Sequence, residues 1–266
     1  METVISCDGT AIAYDTRGDG PPAVLVDGPL SHRGCGSAAR LAELLAERLT
    51  VITYDRRGRG ASGDVTPYAV EREVEDLAAL LDAAGGTACL YGVSAGAALA
   101  LAAADGNPAV TRLALYEPPF VVDDWRPPLP ARYLARLTEL LAAGHRADAV
   151  ELYLTRAVGL PVEFVTPMRR TPLWPAMEAM AHTLAYDAMV LGDTQSGRPL
   201  PAARWAAVTA PALVIEGGRS EVFLRHAARA LAAVLPCARH HVLPDQDHQP
   251  VPEALAPVLL EFFTTP

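Results

Sequence analysis

The sequence predicts an α/β fold: a doubly wound, mostly parallel sheet with helices on both faces and one helical insertion. Short apolar runs alternate with segments of helical spacing over 1–120, the alternation breaks over 121–200, and it returns over 201–266. Strands that alternate with helices are typical of right-handed βαβ units, which build parallel sheets. We therefore expect 1–120 and 201–266 to form one core domain, and 121–200 to form a helical lid inserted after the sixth strand.

The predicted strands are short apolar runs bounded by turn residues. The turn signal Asp8-Gly9 divides two β-like runs at the amino terminus, and the later runs are continuously apolar, as expected of strands buried on both faces. In chain order the predicted strands are 3–6, 11–14, 23–26, 51–54, 89–91, 112–116, 212–215 and 241–243.

The predicted helices show apolar residues at helical spacing and have recognisable ends. We expect one to begin at Thr66-Pro67, because a capping side chain followed by proline is a frequent helix start, and to end at Gly85-Gly86. The other predicted helices of the core are one from about 37, the alanine-rich stretch after 96, 223–235 and 252–263. The insertion carries helical patterns at 134–141, 149–153 and 177–189.

Composition and charge argue against several classes of function. The net charge is −9, and a nucleic-acid partner would need a concentrated basic face. The amino terminus does not resemble a signal peptide, and no apolar run approaches the roughly 20 residues of a membrane helix. The four cysteines form no C-x-x-C pair, so we expect no metal. The sequence favours a cytoplasmic protein that acts on a small molecule, and its arginine-only, alanine-rich composition indicates a bacterial source.

A G-x-S-x-G motif lies between a predicted buried strand and an alanine-rich helix. Residues 92–96 read Gly-Val-Ser-Ala-Gly, and the strand-to-helix context is the one that gives this motif a catalytic meaning. The two glycines permit a sharp turn that exposes Ser94, while the N–H of Ala95 at the helix start suits a developing oxyanion. The alternative is an ordinary strand-to-helix turn. We predict Ser94 as a nucleophile and Ala95 as an oxyanion donor.

A serine nucleophile needs a base, and His248 is the preferred candidate. It follows the last predicted strand, in a loop that ends at the same sheet edge as Ser94. The rival histidines lie in predicted helices, in or beside a strand, in the lid, or near the third strand: His32, His145, His182, His226, His240 and His241.

Together these features resemble the α/β-hydrolase superfamily, in its serine-nucleophile, capped form. The segment 55–62, Asp-Arg-Arg-Gly-Arg-Gly-Ala-Ser, is similar to the D-x-R-G-x-G-x-S turn after the fourth strand of that family. The motif at 92–96 and the histidine loop fall in the family's order, and the lid falls where capped members carry theirs. The resemblance implies the fold but leaves the reaction open, because this fold supports many chemistries.

The position of the acid departs from the common family pattern. The resemblance places the usual acid just after the seventh strand, where this chain has Ser220, with Glu221 one residue later. Some members take the acid after the sixth strand, where this chain has Glu117 between a strand end and two prolines. A carboxylate at that position suits the orientation of an imidazole. We predict Glu117 as the acid and keep Glu221 as the alternative.

The loop after the third strand also departs from the common family pattern. Asp27-Gly28 stands where the family usually has His-Gly, and the residue whose N–H completes the oxyanion hole is Pro29, which has none. Either Leu30 or a side chain replaces that donor, or the reaction builds no full oxyanion. Asp27 is either a turn cap or an acid/base group of this enzyme. Apolar candidates for substrate contact, each equally suited to the core of the lid, are Leu30, Val93, Phe120, Trp125, Trp174, Met177, Met180 and Tyr186.

These observations predict a hydrolase that cleaves an ester, lactone or thioester of a small, largely apolar molecule through an acyl-enzyme, without a cofactor. Secondary metabolism is a candidate setting. The alternative is a non-hydrolytic enzyme of the same fold, a cyclase, lyase or condensing enzyme, which the missing donor and Asp27 motivate. A third interpretation is a ligand-binding protein without turnover, which the complete set of nucleophile, base and acid disfavours.

Overall fold

An eight-stranded sheet forms the centre of the computed structural model, which describes residues 1–35 and 37–265. The strand order is β1-β2-β4-β3-β5-β6-β7-β8; β2 pairs antiparallel with β1 and β4, and every other neighbouring pair is parallel. The strands are β1 (Glu2–Ile5), β2 (Ala11–Arg17), β3 (Pro22–Val26), β4 (Thr50–Tyr54), β5 (Ala88–Val93), β6 (Val110–Tyr116), β7 (Ala212–Gly217) and β8 (Ala238–Leu243). The predicted fold class is confirmed.

Helices cover both faces of the sheet. The core helices are α1 (Ser37–Leu45), α2 (Val70–Ala83), α3 (Ala95–Ala104), α9 (Val222–Val234) and α10 (Pro252–Thr264). Alternate residues of one strand enter opposite cores: Val24 packs with residues of α2, α3 and α9, whereas Leu25 packs with residues of α1 and α10. This alternation follows from the two-residue period of a strand and explains why the central strands are apolar throughout.

Five helices lie between β6 and β7, where the sequence predicts the insertion. They are α4 (Tyr133–Ala142), α5 (Arg146–Leu152), α6 (Val162–Met168), α7 (Trp174–Ala179) and α8 (Thr183–Leu191). Their apolar side chains form a cluster of their own, in which Leu137, Val150 and Val165 are fully buried. Over the described ranges, no helix combines the length and apolar character that a membrane span requires.

The start of α2 differs from the prediction. The helix begins at Val70 rather than at Thr66-Pro67, and the Thr66–Pro67 peptide bond is cis. Tyr68 accounts for the delay: its ring stacks on Tyr186 at a centroid distance of 3.9 Å, and its hydroxyl donates to Glu73 Oε1 at 2.8 Å. The segment before the helix therefore runs extended into tertiary contacts, which outweigh the local capping signal.

The arginine-rich turn after β4 forms a buried ionic network that joins the core to the insertion. Arg56 pairs with both carboxylate oxygens of Glu73, at 2.8 and 2.9 Å, and with Asp187 of α8 at 2.7 Å. Arg59 donates to the other oxygen of Asp187 at 2.7 Å. All four side chains are at most 3% exposed. Two guanidinium groups thus depend on one carboxylate from the insertion.

Replacing Asp187→Asn is expected to lower the free energy of unfolding by about 3 kcal/mol, because loss of one partner leaves a buried charge uncompensated. Asp193→Asn is the matched control, since Asp193 lies 65% exposed in an ion pair with Arg204. Its cost is expected to stay below about 1 kcal/mol. Urea denaturation of both variants measures the difference. Equal losses would mean that the Asp187 network contributes no more than a surface pair.

Candidate active site

Ser94 stands on a sharp turn between β5 and α3. Its φ and ψ are 57° and −129°, an unfavourable conformation for a residue with a side chain. The turn needs its two glycines: a Cβ at Gly92 would lie 2.5 Å from the carbonyl oxygen of Gly96, and a Cβ at Gly96 would lie 2.3 Å from that of Val26. The Ser94 N–H donates to the Tyr116 carbonyl at 2.9 Å, which ties the turn to β6.

His248 lies beside Ser94, in the loop that follows β8. The distance from His248 Nε2 to Ser94 Oγ is 3.2 Å, within hydrogen-bond range. The Tyr116 hydroxyl donates to the Asp247 carbonyl at 2.5 Å, which holds this loop against the end of β6. The side chain of His248 is 37% exposed, so one edge of the ring remains open to the cavity.

Glu117 is the carboxylate that contacts His248. Its Oε2 lies 2.8 Å from His248 Nδ1, and its Oε1 accepts a hydrogen bond from the Gly217 N–H at 2.6 Å. The side chain is fully buried, and the backbone adopts a φ of 43°. Both carboxylate oxygens are therefore occupied. Glu221 lies exposed at the start of α9, and no hydrogen bond joins it to a histidine in the described part of the chain.

Asp27 and Gly28 extend β3 toward the same place. Gly28 packs against the turn at Ser94, since a Cβ there would lie 3.3 Å from Ser94 Cβ. Asp27 is partly buried, and its Oδ2 accepts from the Ser31 hydroxyl at 3.2 Å. Burial raises the pKa of Asp27 to about 6, against the opposing effects of the Ser31 hydrogen bond and of the charges on Arg59 and Arg56.

A cavity of about 510 Å³ lies over Ser94. Its apolar wall comes from the core domain and includes Leu25, Leu41, Tyr91, Val93, Pro250 and Leu255. The polar side chains that line it are Asp27, Ser31, Ser94, Tyr153, His248 and Gln249. Tyr153 is the one insertion residue among the lining residues. Within the described ranges, no group of three or more His, Cys, Asp or Glu side chains is arranged to hold a metal ion.

The structure places Trp174 elsewhere, which corrects its prediction as a pocket residue. The indole is buried in the core of the insertion, and its Nε1 donates to Glu178 at 2.5 Å. Leu30 packs against that same core with a φ of 54° and does not line the cavity. Ala95, at 0% exposure, begins α3 directly after Ser94.

Among the other apolar candidates for substrate contact, Val93 lines the cavity and the rest do not. Phe120 stacks on Trp205, and Tyr186 donates its hydroxyl to Asp64. Met177 packs against the insertion core, Met180 is buried, and Trp125 contacts His226. Sequence reasoning missed Tyr153, which lies at the junction of α5 and the π-helical turn Tyr153–Val158, because the helical pattern at 149–153 does not tell which side chain faces the cavity.

Comparison with known proteins agrees with this architecture. Residues 27–258 match the profile described as the alpha/beta hydrolase family. An alpha/beta hydrolase from Sphaerobacter thermophilus DSM 20745 is 54% identical, with a TM-score of 0.91 over 99% of this chain and 100% of that one.

Two further matches are more limited. An uncharacterized hydrolase of Bacillus subtilis (strain 168), YraK, is 37% identical over 100 residues, which span 35% of this chain and 35% of that protein. An enol-lactonase from Burkholderia xenovorans LB400 shares the fold at 21% identity, with a TM-score of 0.70 over 99% of this chain and 100% of that one. By its profile match over most of the chain and by its 54% identical relative, the protein belongs to the α/β hydrolase family.

Proposed function

We propose that the protein hydrolyses an ester, lactone or thioester of a small, largely apolar molecule through an acyl-enzyme. One observation carries the proposal: a continuous hydrogen-bonded chain runs from Ser94 Oγ to His248 Nε2 at 3.2 Å and from His248 Nδ1 to Glu117 Oε2 at 2.8 Å. A hydroxyl, an imidazole and a buried carboxylate in this order form the arrangement that activates a serine for acyl transfer.

The proposed reaction uses these three side chains in turn. His248 Nε2 takes the Ser94 proton as Oγ attacks the carbonyl carbon, and the carbonyl electron pair moves to its oxygen. Collapse of this tetrahedral intermediate breaks the bond to the alcohol or thiol, which leaves with the proton from His248. Water then attacks the acyl-enzyme, again losing its proton to His248, and the acid product leaves as Ser94 regains its hydrogen.

Glu117 orients and stabilises the imidazole in this mechanism. Because Gly217 occupies one carboxylate oxygen and His248 the other, the carboxylate cannot rotate without losing a hydrogen bond. It favours the tautomer that carries its proton on Nδ1, which leaves Nε2 free to accept the Ser94 proton. The Ala95 N–H, at the start of α3, serves as one donor to the oxyanion.

The cavity supports a small, mostly apolar substrate. Its volume of about 510 Å³ and its wall of leucine, valine, tyrosine and proline suit such a molecule. The enol-lactonase of the same fold acts on a lactone, which is one of the proposed substrate classes. We also propose that residues 121–200 act as a lid, because they lie between β6 and β7 and supply Tyr153 to the cavity.

Ser94→Ala is expected to abolish both covalent labelling and turnover. A fluorophosphonate probe should modify the wild-type protein at Ser94, as read by mass spectrometry of the peptide that contains 92–96, and should leave the variant unmodified. Hydrolysis of 4-nitrophenyl acetate should fall by about 10⁴-fold or more, as in other serine enzymes that lose the nucleophile. Unchanged turnover in Ser94→Ala would refute the acyl-enzyme.

Glu117→Gln and Glu221→Gln form a matched pair that identifies the acid. The amide at position 117 stabilises the wrong imidazole tautomer, so kcat should fall by about 10³- to 10⁴-fold. Glu221→Gln, at an exposed position, should keep kcat within about twofold of wild type. Steady-state kinetics on the same ester measure both. A large loss in Glu221→Gln, with Glu117→Gln unaffected, would assign the role to the other carboxylate.

A second candidate function is favoured by Asp27. This carboxyl lines the cavity beside Ser94, and burial raises its pKa to about 6, a value suited to proton transfer near neutral pH. The candidate is a non-hydrolytic reaction, a cyclisation, elimination or condensation, in which Asp27 moves the proton and Ser94 only donates a hydrogen bond. Turnover would then survive Ser94→Ala and disappear in Asp27→Asn.

Asp27 is expected to destabilise the folded protein at neutral pH. The carboxyl titrates near 3.8 when unfolded and near 6 when folded, so the folded state binds its proton more tightly. The folded state therefore loses stability as the pH rises through that window, and the full cost is present above it. Asp27→Asn should raise Tm relative to wild type at about pH 8 and much less at about pH 4. Asp19→Asn, at an exposed position, is the control and should show no such trend.

A further inference from the structure

The loop after β3 lacks a backbone N–H where an oxyanion donor would stand. Hydrogen bonds to its carbonyl groups fix the orientation of this loop. The Gly28 carbonyl accepts from Arg59 Nη1 at 2.6 Å, and the Asp27 carbonyl accepts from Arg56 Nη1 at 3.2 Å. Because a peptide unit is planar, an N–H at position 29 would point in the direction opposite to the Gly28 carbonyl. That nitrogen carries no hydrogen, and Pro29 lines the cavity with Ser94.

Three of the side chains that line this cavity carry a donor with no hydrogen-bond partner in the described ranges, Tyr91, Gln249 and Tyr153, and Tyr153 is the one that the insertion supplies. Its hydroxyl forms no hydrogen bond with any residue in the described ranges, although the side chain is partly buried. The hydroxyl is accessible rather than enclosed by protein, so it can donate to a bound ligand. Tyr186 and Tyr68, by contrast, donate their hydroxyls to the carboxylates of Asp64 and Glu73.

The backbone around Tyr153 is held by specific contacts. Arg126 donates to the carbonyls of Arg156 and Ala157, at 3.2 and 2.6 Å, and thereby fixes the end of the π-helical turn. The guanidinium of Arg126 also lies 4.4 Å from the centroid of the Phe223 ring on α9. The turn that begins at Tyr153 is thus connected through Arg126 to α9.

We infer that the Tyr153 hydroxyl is a catalytic group that donates a hydrogen bond to the substrate carbonyl oxygen, in place of the N–H that Pro29 lacks. The inference rests on the proposed hydrolysis. Ala95 and Tyr153 then supply the two donors for the oxyanion, one from the start of α3 and one from the insertion. Burial raises the pKa of Tyr153, further helped by the charge on Asp187, so the phenol keeps its proton and remains a donor.

Tyr153→Phe tests this inference, with Tyr133→Phe as its matched control. Tyr133 belongs to the same apolar cluster and its hydroxyl also lacks a partner in the described ranges, but it does not line the cavity. With 4-nitrophenyl acetate, Tyr153→Phe should lower kcat by about 100-fold, the usual effect of removing one oxyanion donor, with little change in KM. Tyr133→Phe should keep kcat within about twofold, and both variants should match wild type in Tm.

Restoring the missing N–H gives an independent test. Pro29→Ala introduces a backbone donor, so in the Tyr153→Phe background it should recover about tenfold or more of the lost kcat. The factor by which Pro29→Ala raises kcat in the Tyr153→Phe background should exceed its factor in the wild-type background by about tenfold, because wild type already has the second donor. If Pro29→Ala changes kcat by the same factor in both backgrounds, or recovers no kcat in Tyr153→Phe, then Tyr153 does not replace that N–H.

The outcomes separate this inference from the proposed function. If Tyr153→Phe keeps kcat within about threefold of wild type while Ser94→Ala is inactive, the inference fails and the hydrolase proposal stands. If wild type neither hydrolyses the ester nor reacts with the fluorophosphonate, both fail together.

Discussion

The site depends on the buried carboxylate of Glu117. Its two oxygens hold the Gly217 N–H and the His248 ring, so one side chain connects β6, β7 and the loop after β8. Placing a full charge out of reach of water is costly unless hydrogen bonds satisfy it, and here both are made at 2.8 Å or less. The direction of the His248 ring, and with it the Ser94 contact, follows from this arrangement.

The core of the fold and much of the site could be predicted because both depend on local signals. Continuous apolar runs place the central strands, and parallel strands bring their carboxyl ends to one edge, where Ser94, Glu117 and His248 each follow a strand. Glu117 required a choice between two strand ends, which the flanking prolines favoured. The sequence pattern therefore leads to the juxtaposition that the structure displays, while the catalytic roles remain proposals.

The parts that could not be predicted are those that tertiary packing decides. Helix α2 begins late because Tyr68 packs on Tyr186, a residue far along the chain. The sequence predicts Trp174 as a pocket residue, yet its ring completes the core of the insertion. Tyr153 faces the cavity where α5 passes into a π-helical turn, a junction that the helical pattern of the sequence does not predict. Periodicity identifies a helix, but which of its side chains face the cavity depends on what packs against the helix.

Backbone strain is also found in the region around Ser94. Among the described residues, those other than glycine with positive φ are Leu30, Ser94 and Glu117, which lie in the loop after β3, at the turn before α3 and directly after β6. Such conformations cost about 1 kcal/mol or more each and persist where surrounding contacts fix them. The fixing contacts are visible: Arg59 holds Gly28 on one side and Asp187 on the other, so the β3 loop and α8 share one guanidinium. The buried ionic network that joins the insertion to the core therefore also fixes the loop beside Ser94, which links the stability of the fold to the geometry of the site.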